Sequence, residues 1–171
     1  LLISGSDLPE QALDRFHALA QGDKARLVIL QLDDEATSQQ TTKQLQEYFK
    51  EKKLEKLVLA DLAADSDASM WKEVLKTAKG LWLVASNEDT FCTRLGDHEL
   101  EPRIAELMQR DGVVASWSSI ANRFAELVYP AGDAKQPTDG LKLFPAAIVH
   151  VAPFATDKQA TIVSAVREHP G

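Results

Sequence analysis

The stretch Gly112–Phe124, GVVASWSSIANRF, begins as an uninterrupted apolar run and then carries Ser116, Ser118 and Ser119 before Ile120 and Phe124. Gly112 to Ala115 reads as a strand buried on both faces, and the segment beyond the serines reads as a helix. A serine on a sharp strand-to-helix turn is where several hydrolase folds expose a nucleophile, because the turn lifts the hydroxyl out of the sheet edge. Such turns carry glycines beside the serine, and no glycine stands between Ser116 and Phe124.

Further such runs flank this one. Leu1 to Ile3, Arg26 to Leu32, Lys56 to Leu62, Leu81 to Ala85 and Ala146 to Val151 also read as strands. Between them Leu13, Phe16, Leu19 and Ala20 recur at helical spacing, as do Leu45, Tyr48 and Phe49, and then Trp71, Val74, Leu75 and Ala78. Leu100, Ile104, Leu107 and Met108 form a fourth stripe, and Ala160, Val163 and Val166 a fifth. Strands without apolar/polar alternation, separated by helices, imply a three-layer α/β/α sandwich around a mostly parallel sheet. Leu27, Ile29, Val58, Leu81, Leu83, Val113 and Val114 are the expected buried centre. Asp7, Pro9 and Glu10 fit the acidic first turn of a helix, and Thr156 with Gln159 fits a capping box. Residues 130–140, PAGDAKQPTDG, are expected to be an exposed loop.

The chain has 171 residues and is 44% hydrophobic, enough for one domain with a sizeable core, expected to span 1–171. A net charge of −7 with no concentration of Lys and Arg speaks against nucleic acid as a partner. The longest apolar runs fall far below the ~20 residues of a membrane span, so no membrane partner is expected and the chain reads as soluble. The single Cys92 allows no internal disulfide and is expected to be a small semi-buried side chain. The opening LLISGSDLPE has no methionine, as in a piece excised from a longer protein.

In a parallel sheet, function gathers beyond the carboxyl ends of the strands. Those ends are Ser4 to Ser6, Gln31 to Glu35, Asp61 to Asp65, Ser86 to Asp89 and Ser116 to Ser119. Gly5 lacks the second and third glycines of a dinucleotide fingerprint, so no nucleotide cofactor is expected. Asp33, Asp34 and Glu35, like Asp61, Asp65 and Asp67, suit a hard cation by oxygen type. They have no EF-hand spacing, and acids at helix N-termini follow from the macrodipole alone, so no metal is expected. A nucleophilic serine needs a base and backbone N–H donors for the oxyanion. His17, His98 and His169 read as surface residues, whereas His150 closes the apolar strand AAIVHV. Trp82 and Trp117 read as core, with Trp117 the candidate aromatic wall of a pocket.

Over nearly its whole length this order of features resembles the cyanophycinase and dipeptidase E group of serine peptidases, whose fold is similar to class I glutamine amidotransferases and flavodoxin-like. LLISGSDLPEQALDRFHALAQGDKARLVIL resembles the group's opening strand, glycine loop, helix and second strand, and KGLWLVASNED its strand ending in Gly-Gly-Asp/Asn-Gln. GVVASWSSIANRF resembles its Gly-Thr-Ser-Ala-Gly-Ala elbow, and GLKLFPAAIVHVAPF its late strand GLGLLPGVIIDQHF. The resemblance implies Ser118 as the nucleophile and a peptide-like or other small-molecule substrate. Ser86, Asn87, Glu88, Trp117 and Ser119 then line the cleft. It also exposes departures. Ser116 and Ile120 stand where the elbow has glycines, and Ala85 and Ser86 where paired glycines help build the oxyanion hole. Glu88 replaces the Gln. Ala152 replaces the basic His, with His150 two residues earlier, roughly 6.5 Å away along a strand. The segment ATDKQAT lacks the group's arginine. Glu126, Asp133 and Asp139 all remain open as third triad member. The expectation is a catalytically degenerate relative that binds or assembles, with an active serine hydrolase using Ser118 and His150 as the alternative. Ligand identity, oligomeric state and compartment are not legible.

Overall fold

The computed structural model describes residues 2–4, 8–54, 56–62, 68–117, 120, 123–128, 138–141 and 144–148. The chain divides into two compact units, Leu1–Ile120 and Ala121–Gly171, each described by itself.

In the first unit the order is β1 (Leu2–Ser4), α1 (Glu10–Leu19), β2 (Arg26–Gln31), α2 (Ala36–Glu51), β3 (Lys56–Asp61), α3 (Ala68–Thr77), β4 (Gly80–Val84), α4 (Glu88–Asp97), α5 (Glu101–Gln109) and β5 (Val113–Trp117). The five strands form one sheet in the order β1-β5-β4-β2-β3. Every pairing is parallel. This is the expected α/β fold, and the five strands read from sequence lie within a residue or two of their observed bounds.

The apolar runs form strands because both faces are covered. Leu27, Ile29, Trp82, Val84, Val113 and Ala115 face one core together with Leu13, Phe16, Leu45 and Phe49 from α1 and α2. Trp82 meets Phe16 edge-on, ring centroids 4.9 Å apart, and Phe16 continues to Phe49 at 5.9 Å. Leu81 and Leu83, of opposite parity on β4, are also fully buried, as a two-sided sheet requires. Trp82 is core, as expected.

Four expectations need correction. Val58 is only partly buried, and its neighbour Leu59 is 42% exposed, because β3 is an edge strand. Leu19 fits the helical stripe of α1 but is 40% exposed, since the stripe turns away from the sheet at the helix end. His17 is largely covered, with 14% of its side chain exposed and Nε2 3.3 Å from Asp23. His98 is also partly buried, and its Nε2 is enclosed.

The second unit departs further. Among the described residues no α-helix follows the serines as expected: Ile120, Arg123 and Phe124 are in 3-10 conformation, and Ala125–Val128 is already a strand, β6. It pairs with β7 (Thr138–Asp139) antiparallel and with β8 (Phe144–Ile148) in parallel. Pairing partners on both sides hold Ala125–Val128 as a strand. Thr138 and Asp139, read as loop, become strand for the same reason, and the late strand belongs to this three-stranded sheet. Asp7, Thr156, Gln159 and the fifth helical stripe lie outside the described residues.

A polar tie joins α1 to α2. The Tyr48 hydroxyl donates to Asp14, and Lys52 Nζ lies 2.8 Å from the same carboxylate and 5.1 Å over the Tyr48 ring. Burial, and then the bond to Asp14, push the Tyr48 phenol up to about 12. The hydrogen bond from Lys52, and then that from Tyr48, hold the Asp14 carboxyl below its usual range. Tyr48's folded pKa exceeds its unfolded one. Its contribution is therefore complete below about pH 10 and lost as pH rises toward about 12. In an alkaline absorbance titration Tyr48 is expected to ionise near pH 12, and Tyr48→Phe to remove that late step; ionisation of both tyrosines near pH 10 would contradict the tie.

Two glycines make a contrasting pair. A Cβ on Gly80 would stand 2.5 Å from Leu27 Cδ2 and 2.8 Å from Phe16 Cζ, both immobilised in the core. A Cβ on Gly96, inside α4, meets nothing within 4 Å. Gly80→Ala is expected to destabilise by about 1–3 kcal/mol. Gly96→Ala is expected to stabilise by about 0.5–1 kcal/mol, both read by urea denaturation.

Candidate functional site at the carboxyl edge of the sheet

Because all five strands run the same way, their carboxyl ends share one edge. The chain leaves β2 to one side for β3 and returns on the other side as β4, so the topological switch point lies between β2 and β4. Pairing continues past both strands: Leu32 N–H donates to Val84 O at 2.9 Å. The next residues on each side, Asp33 and then Ser86 and Asn87, face one another.

Here the sheet edge closes on a carboxylate. Asp33 Oδ2 accepts the backbone N–H of Ser86 at 2.6 Å and that of Asn87 at 3.0 Å. Two N–H groups on one carboxylate oxygen make short, charge-assisted bonds. Next to them the hydroxyls of Ser38, on α2, and Ser86 are 2.7 Å apart and share a hydrogen bond. Asn87 then caps α4, its Oδ1 accepting Thr90 N–H at 2.9 Å. Glu88 and Asp89 fill the acidic first turn that the helix dipole favours.

The alternation of β2 explains the aim of Asp33. Leu27 and Ile29 face α1 and α2, and Asp33 continues their parity beyond the strand. On α2 the buried face runs Ser38, Thr41, Thr42, Leu45, Phe49, polar at the sheet edge and apolar in the core. The acids before α2 were expected to serve that helix's own N-terminus. Asp33 instead serves the start of α4, and Glu35, at the cap position of α2, makes no side-chain cap bond.

Of the residues singled out from sequence, the structure brings the loops of Ser86, Asn87 and Glu88 to the end of β4, next to β5. Trp117 closes β5, its backbone in register with Ser4, and Ser116 stands opposite Leu83. Ser116 and Ile120 are fully buried. Ser118, Ser119, His150 and Ala152 lie outside the described residues, and nothing is said of the Trp117 side chain. Sequence reasoning placed Asp33 at this edge only as one acid of a run suited to a hard cation, and it missed Ser38 as part of the site. The usable signal was strand parity for Asp33 and the spacing to Leu45 for Ser38. Among the described residues no three His, Cys, Asp or Glu side chains converge as a metal site. No helix among them is long and apolar enough to cross a membrane.

No protein-family model matches the chain, and no curated protein does. Solved structures do match. One, titled as a peptidase E protein of Listeria monocytogenes EGD-e, superposes with a TM-score of 0.63 at 12% identity, over 95% of this chain and 86% of its own. Another, a peptidase from an acI-B1 Actinobacterium, gives 0.63 at 18% identity, over 82% of this chain and 63% of its own. The chain thus spans a little under two thirds of that second protein.

Asp33→Ala removes the acceptor from two N–H groups. It is expected to destabilise the first unit by about 1–3 kcal/mol in urea denaturation, with Asp33→Asn, which retains an acceptor oxygen, costing less. Equal stability of Asp33→Ala and the parent would contradict the clamp. The fold is the one these two peptidase structures share, as the sequence resemblance implied.

Proposed function

We propose that this chain is a catalytically degenerate relative of the cyanophycinase-type serine peptidases and works as a binding or assembly domain. The observation that carries the reading is the bond from Ser86 N–H to Asp33 Oδ2 at 2.6 Å. Ser86 stands where the resemblance puts one of the paired oxyanion glycines, and its N–H is committed to a carboxylate. An oxyanion forming there would lose that donor and meet a negative charge in its place.

The residue identities add to this. Ile120 puts a β-branched side chain where the elbow needs a glycine, and Ala152 stands where the base is required. Losing one oxyanion donor costs about 10²–10³ in turnover, and losing the base roughly a further 10²–10⁴. Little catalysis would survive both.

An active-site fluorophosphonate at neutral pH is expected to leave Ser118 unlabelled. Labelling of Ser118, with a peptidase activity removed by Ser118→Ala and by His150→Ala alike, would establish the rival reading of a working serine hydrolase.

A further inference from the structure

The carboxylate of Asp33 is only half used. Oδ2 accepts two backbone N–H groups, but Oδ1 is enclosed and has no hydrogen-bond partner among the described residues. The residue is 4% exposed. A carboxyl oxygen shut away from water without a donor bears the desolvation cost of an unpaired acceptor, so the site as it stands is short of a donor.

The surrounding charge says which kind. Asp33, Asp34 and Glu35 lie on one of the two loops that meet here, Glu88 and Asp89 on the other. Neither 31–39 nor 84–91 contains a Lys, Arg or His. Such a site repels anions and draws cations. A divalent metal would need several converging ligands, and among the described residues no three His, Cys, Asp or Glu side chains converge. Asp34, Glu35 and Asp89 are exposed. A primary ammonium needs less: one charged acceptor and neutral oxygens for its remaining N–H bonds. The Ser38 and Ser86 hydroxyls, the second on the residue whose N–H already binds the carboxylate, are such oxygens. Asp34, Glu35 and Asn87, which adjoin Asp33 and Ser86 in the two loops, are exposed.

We infer that the switch point between β2 and β4 is a binding site for a small organic cation bearing a primary ammonium, with Asp33 Oδ1 as its counter-ion. The inference rests on the binding-domain reading above and names that site's ligand class.

The test is an amide-resonance titration of the ¹⁵N-labelled chain with n-propylammonium chloride. Tetramethylammonium chloride at matched ionic strength serves as the cation without N–H, and magnesium chloride as the metal. Ser86 and Asn87 amides are expected to shift saturably with n-propylammonium and not with tetramethylammonium. Asp33→Asn keeps an acceptor for the two N–H groups but no charge, and is expected to bind about tenfold more weakly or worse. The inference is overturned by the absence of a saturable shift, by equal affinity in Asp33→Asn, by an equal response to tetramethylammonium, or by a response to magnesium alone. Should Asp33→Asn not fold, the comparison of the two ammonium ions on the parent chain decides by itself. Labelling of Ser118 by fluorophosphonate with these shifts intact would overturn only the degenerate-peptidase reading. Missing shifts with Ser118 unlabelled would overturn only the ammonium site.

Discussion

Parallel strands cannot be joined by a tight turn, so every link from β1 to β5 has to cross the sheet through a helical segment and return to the same starting edge. That constraint orders the first unit. It puts helices over both faces, which demands strands that are apolar on both sides. It also sends every carboxyl end to one edge, where the polar groups left over from strands and helix starts must satisfy one another. Leu27, Ile29, Trp82 and Val84 fill the covered interior, and Asp33, Ser38, Ser86 and Asn87 settle the edge.

Much of this was legible from the chain alone, because uninterrupted runs such as Arg26 to Leu32 and Leu81 to Ala85 have one economical use, the interior of a parallel sheet. The misreadings sit where that argument loses its grip. Val58 and Leu59 are as apolar as Val28 and Ile29, but β3 ends the sheet, and strand order is a property of the topology that hydrophobicity does not encode. Ala125–Val128 is too short for its period to be read, and it becomes a strand through its neighbours β7 and β8, one of which is only two residues long. Such pairings depend on contacts between residues distant in sequence.

The site was legible as a set of loops and not as a set of bonds. Ser86, Asn87 and Glu88 could be placed beyond β4 from the strand pattern, but their partner, Asp33, lies 53 residues earlier than Ser86. In sequence it is one acid of three before a helix, and the macrodipole of that helix accounts for all three equally well. Only the crossing of the chain from β3 over β2 to β4 brings Asp33 to the start of a different helix. The serine turn shows the opposite limit. Ser116 and Ile120, which flank Ser118 and Ser119 in sequence, are fully buried, which a run of serines in the sequence does not announce.

A carboxylate at this edge has consequences that reach beyond its own two hydrogen bonds. Backbone N–H groups near a helix start attract negative charge, and a hydrolase uses such groups by keeping them vacant until an oxyanion forms. A chain that fills them with its own side chain satisfies those N–H groups in the ground state and forgoes the selective stabilisation of a transition state. The same substitution of occupant reverses the sign of the site. Under the proposed reading, an edge that would welcome a developing negative oxygen carries a carboxylate instead, with Asp34, Glu35, Glu88 and Asp89 on the loops that meet there. Under the proposed reading, then, the loss of hydrolysis and the preference for a cationic ligand are one physical change: the placement of a carboxylate where the fold otherwise presents bare N–H donors.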